Sequence, residues 1–342
     1  MGYKAVKIFF RVGFIFISIS LLIITVLLNF FKYVQPPEMI WLQFITILSP
    51  FIIISNIILF SVWAYNLKFR AIIPLLSIII GYKLLFSMLG FRLSEKDPNA
   101  EQLIVSSFNV NYFSYKKEFN TPIIAKLMAE NKVEILSMQE FEPTSFFNLK
   151  EIIGEFDFLP YNTIDITEGK IGMAIFSKYQ IIQGGKINFE NSDNGSLWAD
   201  IKYKEDTIRI INNHLQTTGF YSSYDKGPKY VIDQMKVNYT KRAKQAILIK
   251  EFIKSSPYPV ISMGDLNDTP NSFTYSTLIE AGLGDSFKKA KLQSGGTYMR
   301  TLGLLRIDYI MHTHHFKTIY YKKVRTGLSD HKPIFSVLEY QN

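Results

Sequence analysis

Met263-Gly264-Asp265-Leu266-Asn267-Asp268-Thr269-Pro270 closes an apolar, β-rich run that begins at Tyr258. Asp265 and Asn267 stand two residues apart at a strand end, so their side chains share one side of the chain. A carboxylate placed there can polarise a water, and an amide can hydrogen-bond an oxyanion. The same residues also describe an Asx turn that merely ends a strand. The rest of the chain has to decide between chemistry and a turn.

Other apolar runs end in a similar way. Leu103–Asn111 carries Asn109 to a strand terminus, and Val133–Glu140 ends in Gln139-Glu140. A carboxylate closing a buried strand is costly unless it is paired or bound to a metal. Thr207–Leu215 ends at His214, which a structural role would also explain. Leu305–Met311 reads as a strand with Asp308 embedded in it. Gly327–Ile334 brings Asp330-His331 to the start of the last strand, Ile334–Glu339. Each residue alone has a bland explanation, but six strands ending in such groups do not. Together they supply four carboxylates, two imidazoles and two amides. An oxygen-rich set with no cysteine in the chain suits a hard cation, Mg²⁺ or Mn²⁺, better than zinc. A hard cation with acid/base groups and amide donors suits attack of water on a phosphoester.

Between these strands the pattern alternates short apolar runs with longer amphipathic stretches, which indicates an α/β domain. Helices are expected over Lys117–Asn131, Lys241–Ile253 and Thr274–Ala281. Gly172–Lys178 reads as a buried strand, and Leu197–Tyr203 with Thr207–Leu215 as an antiparallel pair. Thr217–Tyr239 has no clear period and reads as a long loop, a candidate for substrate choice.

The first third of the chain differs in kind. Ile8–Phe31, Ile40–Tyr65 and Ala71–Phe91 are each long enough for the ~20 residues that cross a bilayer, so three transmembrane helices are expected. Lys4, Lys7 and Arg11 flank the first run, and Lys68 and Arg70 lie between the second and third. By the positive-inside rule the N-terminus is cytoplasmic and the remainder extracytoplasmic. Lys83, inside the third run, is expected to snorkel to the interface or to meet a lipid head group. The resulting division is a membrane domain over 1–92, a linker over 93–102 and a catalytic domain over 103–342.

The net charge of +9 looks at first like a nucleic-acid signal. Residues 1–92, however, hold eight Lys/Arg against one Glu, while the rest hold 30 Lys/Arg against 28 Asp/Glu. The basic excess therefore marks topology, and a polyanion-binding surface is disfavoured.

Ser107-Phe108-Asn109-Val110, Gln139-Glu140, Asn213-His214-Leu215-Gln216, Gly264–Pro270, Arg306-Ile307-Asp308-Tyr309-Ile310 and Ser329–Ile334 follow in the order seen in the endonuclease/exonuclease/phosphatase superfamily, which the chain resembles from about Leu103 to Tyr340. The resemblance implies a DNase I-like four-layer α/β sandwich with its site at one edge. It implies Glu140 as principal metal ligand, with Asn109 and Asp330 near the metal. Asp265 would orient or deprotonate water, and Asn267 and His214 would contact phosphate oxygens. His331 would complete the acid/base pair, oriented by Asp308. Asn111 stands where many DNA-cleaving members carry an acid, which disfavours a repair nuclease. The expectation is a membrane-anchored Mg²⁺-dependent phosphoesterase acting on a phosphate substrate, favoured as lipid-linked. The alternatives are an extracytoplasmic nuclease acting on DNA or RNA and a non-catalytic binding module.

Overall fold

A computed structural model of the protein describes residues 2–66, 68–90, 102–113, 120–143, 148–220, 223–290 and 293–341. The chain opens with α1 (Tyr3–Phe31), then α2 (Ile40–Ile47) and α3 (Ser49–Tyr65), then α4 (Ile72–Ile80), α5 (Tyr82–Met88) and the short β1 (Leu89–Gly90). Among the described residues, only α1 is long and apolar enough to cross a membrane as one helix. The expected second and third spans are each broken instead. The second bends by 56° between α2 and α3, and the third by 64° between α4 and α5. Proline explains the first break: Pro50 sits in the first turn of α3 and cannot continue a preceding helix. Gly81 marks the second, where a Cβ would lie 2.9 Å from Thr25 Cγ2 and 3.0 Å from the Ser77 carbonyl. α1 and α4 approach closely there, and Ser77 Oγ bonds Thr25 Oγ1 at 2.9 Å. The boundary expected at 93–102 falls almost wholly outside the described residues.

The α/β part follows. Its strands are β2 (Gln102–Asn109), β3 (Ile135–Gln139), β4 (Tyr161–Asp165), β5 (Met173–Ser177), β6 (Ile181–Asn188), β7 (Gly195–Tyr203), β8 (Asp206–His214) and β9 (Val260–Asp265). After these come β10 (Gly284–Asp285), β11 (Gln293–Ser294), β12 (Asp308–His312), β13 (Phe316–Lys323) and β14 (Ile334–Tyr340). Its helices are α6 (Thr121–Glu130), α7 (Leu149–Glu155), α8 (Pro228–Lys254) and α9 (Phe273–Glu280). One six-stranded sheet runs β13-β14-β2-β3-β5-β4, and the other runs β10-β12-β9-β8-β7-β6.

Strand alternation sorts the side chains into layers. Val105, Ile135 and Ile175 meet Ala199, Ile210 and Ile261 between the sheets. Phe108, Leu136 and Phe176 face the other way, against Ile124 of α6 and Ile152 of α7. Ile211 and Met311 pack under Ile249 of α8 and Leu278 of α9. The expected helix–sheet–sheet–helix sandwich is what forms.

Two sequence expectations need correction. The long loop over Thr217–Tyr239 is much shorter, because α8 starts at Pro228, eleven residues before Tyr239. Gly227-Pro228 was the available signal, since proline is favoured in a first helical turn. Periodicity hid it: within the Pro228–Tyr239 half only Val231, Asn238 and Tyr239 are buried, so there is no continuous apolar stripe. Asp308 is likewise not embedded in a strand but is the first residue of β12. α6 begins at Thr121; residues 117–119 of the expected helix lie outside the described set.

The N-terminal helices rest on this sandwich. β1 pairs with β11 through Leu89 and Ser294. Thr269 Oγ1 donates to the Thr46 carbonyl and Asn271 Nδ2 to the Leu28 carbonyl, both at 3.4 Å. The Phe44 and Tyr239 rings lie 5.6 Å apart.

Candidate active site

Two parallel pairs set the site. β2 runs parallel to β3, which aligns Asn109 with Gln139. β8 runs parallel to β9, which aligns His214 with Asp265. Parallel neighbours finish on the same rim, so Asn109, Glu140, His214 and Asp265 come together. The antiparallel neighbours begin where these end: Asp308 pairs with Asp265 across β12 and β9, and β14 starts just after Asp330-His331. All eight sequence-selected residues thus stand on one rim, drawn from both sheets.

Backbone geometry at the rim is specialised. Gly264 has φ +133°, and a Cβ there would lie 2.0 Å from the Asn213 carbonyl oxygen. Only glycine lets β9 approach β8 this closely. Glu140 (φ 54°) and Asn267 (φ 50°) both adopt the left-handed conformation. Strain of this kind is costly in non-glycine residues and concentrates at functional sites.

Asp265 is the hub. Its Oδ1 accepts the Asn267 backbone N–H at 2.8 Å, and its Oδ2 accepts Asn109 Nδ2 at 3.2 Å. Asn109 Nδ2 also donates to Glu140 Oε1 at 2.9 Å, so one amide bridges the two carboxylates. His331 Nδ1 lies 3.0 and 3.1 Å from the two Asp308 oxygens. Its Nε2 points toward Asp265 Oδ2 at 3.7 Å, too far for a direct hydrogen bond. His214 Nε2 lies 3.8 Å from Glu140 and 3.9 Å from Asp265.

Burial sets the electrostatics. Asp265 is pushed up to about 7, first by burial and then by Asp308 and Glu140, against the opposing pull of His331. His331 is penalised by burial, yet Asp308 and Asp265 raise it to about 10. Asp308 therefore keeps the imidazole protonated and oriented. His214 falls to about 3 through burial and the proximity of His331, and so stays neutral. Its Nε2 faces the carboxylates, and its buried Nδ1 has no hydrogen-bond partner among the described residues. Glu140 is raised by burial.

Asn267 is less open than the sequence suggested, because its Nδ2 donates to the Leu215 carbonyl at 2.9 Å; one amide hydrogen remains. Asp330 is gripped by Arg300, with Nε to Oδ2 at 2.8 Å. Sequence reasoning missed Arg300, since nothing in Met299-Arg300-Thr301 announces a distant acid partner. It also gave no role to Asp268, which is buried against Arg242 Nε at 3.0 Å and Thr274 Oγ1 at 2.8 Å. Ser329 stitches the rim by donating to the Asn109 carbonyl (2.7 Å) and accepting the His331 N–H (3.1 Å).

Two groupings compete as a metal site. Ligand atoms of Asp265, Asp308 and His331 all lie within 4.8 Å of one another. In that trio Asp308 and His331 are already hydrogen-bonded to each other. Glu140 fits a hard cation better. Its carboxylate is about one-fifth exposed, and among the described residues its hydrogen bond comes from Asn109. A bound cation would relieve the burial penalty that raises it. Asn109 presents its Nδ2 to Glu140 while its Oδ1 accepts the Asn111 N–H at 3.1 Å, and Asp330 is held by Arg300, so Glu140 is the carboxylate of this group that suits Mg²⁺ or Mn²⁺.

The family model described as "Endonuclease/Exonuclease/phosphatase family" matches residues 106–331, well over half of the chain. The chain belongs to that family. No curated protein matches it. Among solved structures, an endonuclease/exonuclease/phosphatase from Beutenbergia cavernae superposes with a TM-score of 0.55 at 16% identity, covering 70% of this chain and 72% of that one. A family protein from Bacteroides thetaiotaomicron gives 0.52 at 19% identity, covering 71% of this chain and all of that one. The human Nocturnin catalytic domain gives 0.53 at 14% identity, with 70% and 95% covered. At these identities the likeness establishes the fold, and the family's phosphoesterase and nuclease chemistry frames what the rim can do.

Proposed function

We propose that the protein is a membrane-anchored, Mg²⁺-dependent phosphoesterase whose catalytic domain is extracytoplasmic and whose substrate is a lipid-linked phosphate or diphosphate. The Asp308–His331 pair facing Asp265, beside Glu140 and Asn109, is the observation that supports the chemistry. Asp265 receives a proton from the attacking water, because its carboxylate is held near neutrality in pKa and oriented by Asn109 and the Asn267 N–H. His331, kept charged by Asp308, donates toward the phosphate or its leaving oxygen through Nε2. This geometry favours Asp265 over His331 as the base. Neutral His214 presents Nε2–H, and Asn267 its remaining amide hydrogen, to the oxygens that gain charge. Glu140, with Asn109 and Asp330 near it, would hold the cation, which when bound would supply Lewis-acid polarisation of the phosphoryl group.

The anchoring rests on α1. Phe9, Phe10, Phe16 and Phe30 are each more than half exposed on it, a contiguous apolar surface that water does not tolerate. Bound to a bilayer, the site works at raised effective concentration on substrates in that membrane.

A screen of the Mg²⁺-loaded protein in detergent micelles against phospholipids, polyprenyl diphosphates, nucleotides and plasmid DNA tests this reading. Release of phosphate or a phosphorylated head group from a lipid is expected. Efficient cutting of DNA with every lipid untouched would replace it with the nuclease reading. Alkaline phosphatase fused after Asn342 should be active in intact cells; an inactive fusion would reverse the orientation.

A further inference from the structure

A cavity of about 540 Å³ lies between the N-terminal helices and the catalytic sandwich, apart from the catalytic residues. Three lysines from distant parts of the chain converge on it: Lys32 just after α1, Lys83 in α5 and Lys288 before β11. No carboxylate lies within ion-pair distance of any of them among the described residues. The acids that line the cavity are already neutralised. Glu280 takes Lys250 at 2.9 Å, and Asp285 takes the buried Arg306 at 2.8 Å. A net charge of about +3 therefore faces the cavity, while Tyr82, Leu84 and Phe86 give it apolar walls.

Depth along α1 says what kind of anion belongs there. Arg11 and Lys32 bracket Val12–Phe31, an uncharged run of twenty residues. At 1.5 Å per residue it spans about 30 Å, the thickness of a bilayer's hydrocarbon core. With Arg11 at one interface, Lys32 sits at the other, level with the lipid phosphates. Lys83 shares its cavity and so lies at the same depth, which removes the cost of placing a lysine inside the membrane.

We infer that this cavity is a binding site for the phosphate head group of an anionic phospholipid, seated by Lys32, Lys83 and Lys288 between the membrane helices and the catalytic domain. The inference rests on the proposed membrane anchoring. Occupancy would tie the two parts of the chain together beside Pro270 and Asn271, which also line the cavity.

The test uses the full chain in dodecylmaltoside micelles with Mg²⁺, and native mass spectrometry to count retained lipid. Phosphatidylglycerol should be retained in preference to phosphatidylcholine, both by the wild type and by Glu140→Ala, whose catalytic site is disabled. The triple variant Lys32→Gln/Lys83→Gln/Lys288→Gln should bind phosphatidylglycerol about a hundredfold more weakly, since each basic side chain near an anionic surface is worth about a factor of five. The triple Lys→Arg variant should restore binding, which separates loss of charge from misfolding. Equal retention of the two lipids, or unchanged binding by the triple Gln variant, overturns the inference. Displacement of the lipid by millimolar inorganic phosphate also overturns it, in favour of a soluble anion. Carbonate-washed membranes keep the outcomes apart. A chain that stays in the pellet without lipid preference has lost only this site, whereas one released to the supernatant has lost the anchoring as well.

Discussion

Asp308→Asn isolates the Asp308–His331 pair on which the proposed mechanism depends. In the wild type His331 is raised from 6.5 to about 10, with Asp308 the leading carboxylate that raises it. A group with that pKa is ~99% protonated at pH 8; one near 6.5 is only ~3% protonated. Without the Asp308 charge, burial lowers the imidazole and only weaker partners oppose it. The alkaline limb of kcat against pH should then move from near 10 toward 6.5. On the acid limb, set by Asp265 near 7, two changes oppose each other: loss of the Asp308 charge lowers Asp265, and discharge of His331 raises it; the fall of the alkaline limb therefore collapses the plateau between them. At pH 8 protonation alone accounts for a ~30-fold fall in kcat, and loss of ring orientation carries it toward the ~10²–10⁴-fold worth of a positioned acid.

Stability carries the same signature. His331 binds its proton more tightly when folded, so its contribution is complete below pH 6.5 and is lost as pH rises through about 10. Melting curves over that window should show a slope in the wild type that flattens in Asp308→Asn. The assay is steady-state hydrolysis of a chromogenic phosphodiester at saturating Mg²⁺ from pH 5.5 to 10.5. An unmoved alkaline limb, or a uniform loss of rate at every pH, would refute that role of the pair.

Glu140→Gln should weaken Mg²⁺ activation by more than about a hundredfold, because even outer-shell losses reach 10–100-fold; titrating Mg²⁺ into chelator-stripped protein measures it, and activity that survives chelation sinks the metal role. Arg242→Met should destabilise the chain by about 3–5 kcal/mol in denaturant titrations, since it strands the buried Asp268 carboxylate. Gly264→Ala should cost about 4 kcal/mol or more, because its Cβ would meet the Asn213 carbonyl at 2.0 Å; a soluble variant with a wild-type melting temperature contradicts the close approach of β8 and β9.

Strand ends were the legible part of this sequence. An apolar run that stops at Asn109, Glu140, His214 or Asp265 declares both a strand and what it delivers, because strand periodicity is local. Partners across the fold left no such trace. Arg300 meets Asp330 thirty residues away and Arg242 meets Asp268 twenty-six away, and a lone arginine in a polar stretch reads as solvated. Hydropathy measured length and apolarity in the N-terminal third but could not register the bends at Ser49-Pro50 and Gly81. Those depend on where neighbouring helices pack.

Gly264–Pro270 shows the division most clearly. By itself the sequence determined that a strand stops there and presents Asp265 with Asn267, since two-residue periodicity fixes which side chains share a face. Tertiary structure alone decided the rest. The parallel register of β8 with β9 sets His214 beside Asp265, and Asn109 bridges the two sheets. Burial among charges drawn from distant segments raises both the Asp265 carboxyl and the His331 imidazole, and those fields exist only once the chain has closed on itself.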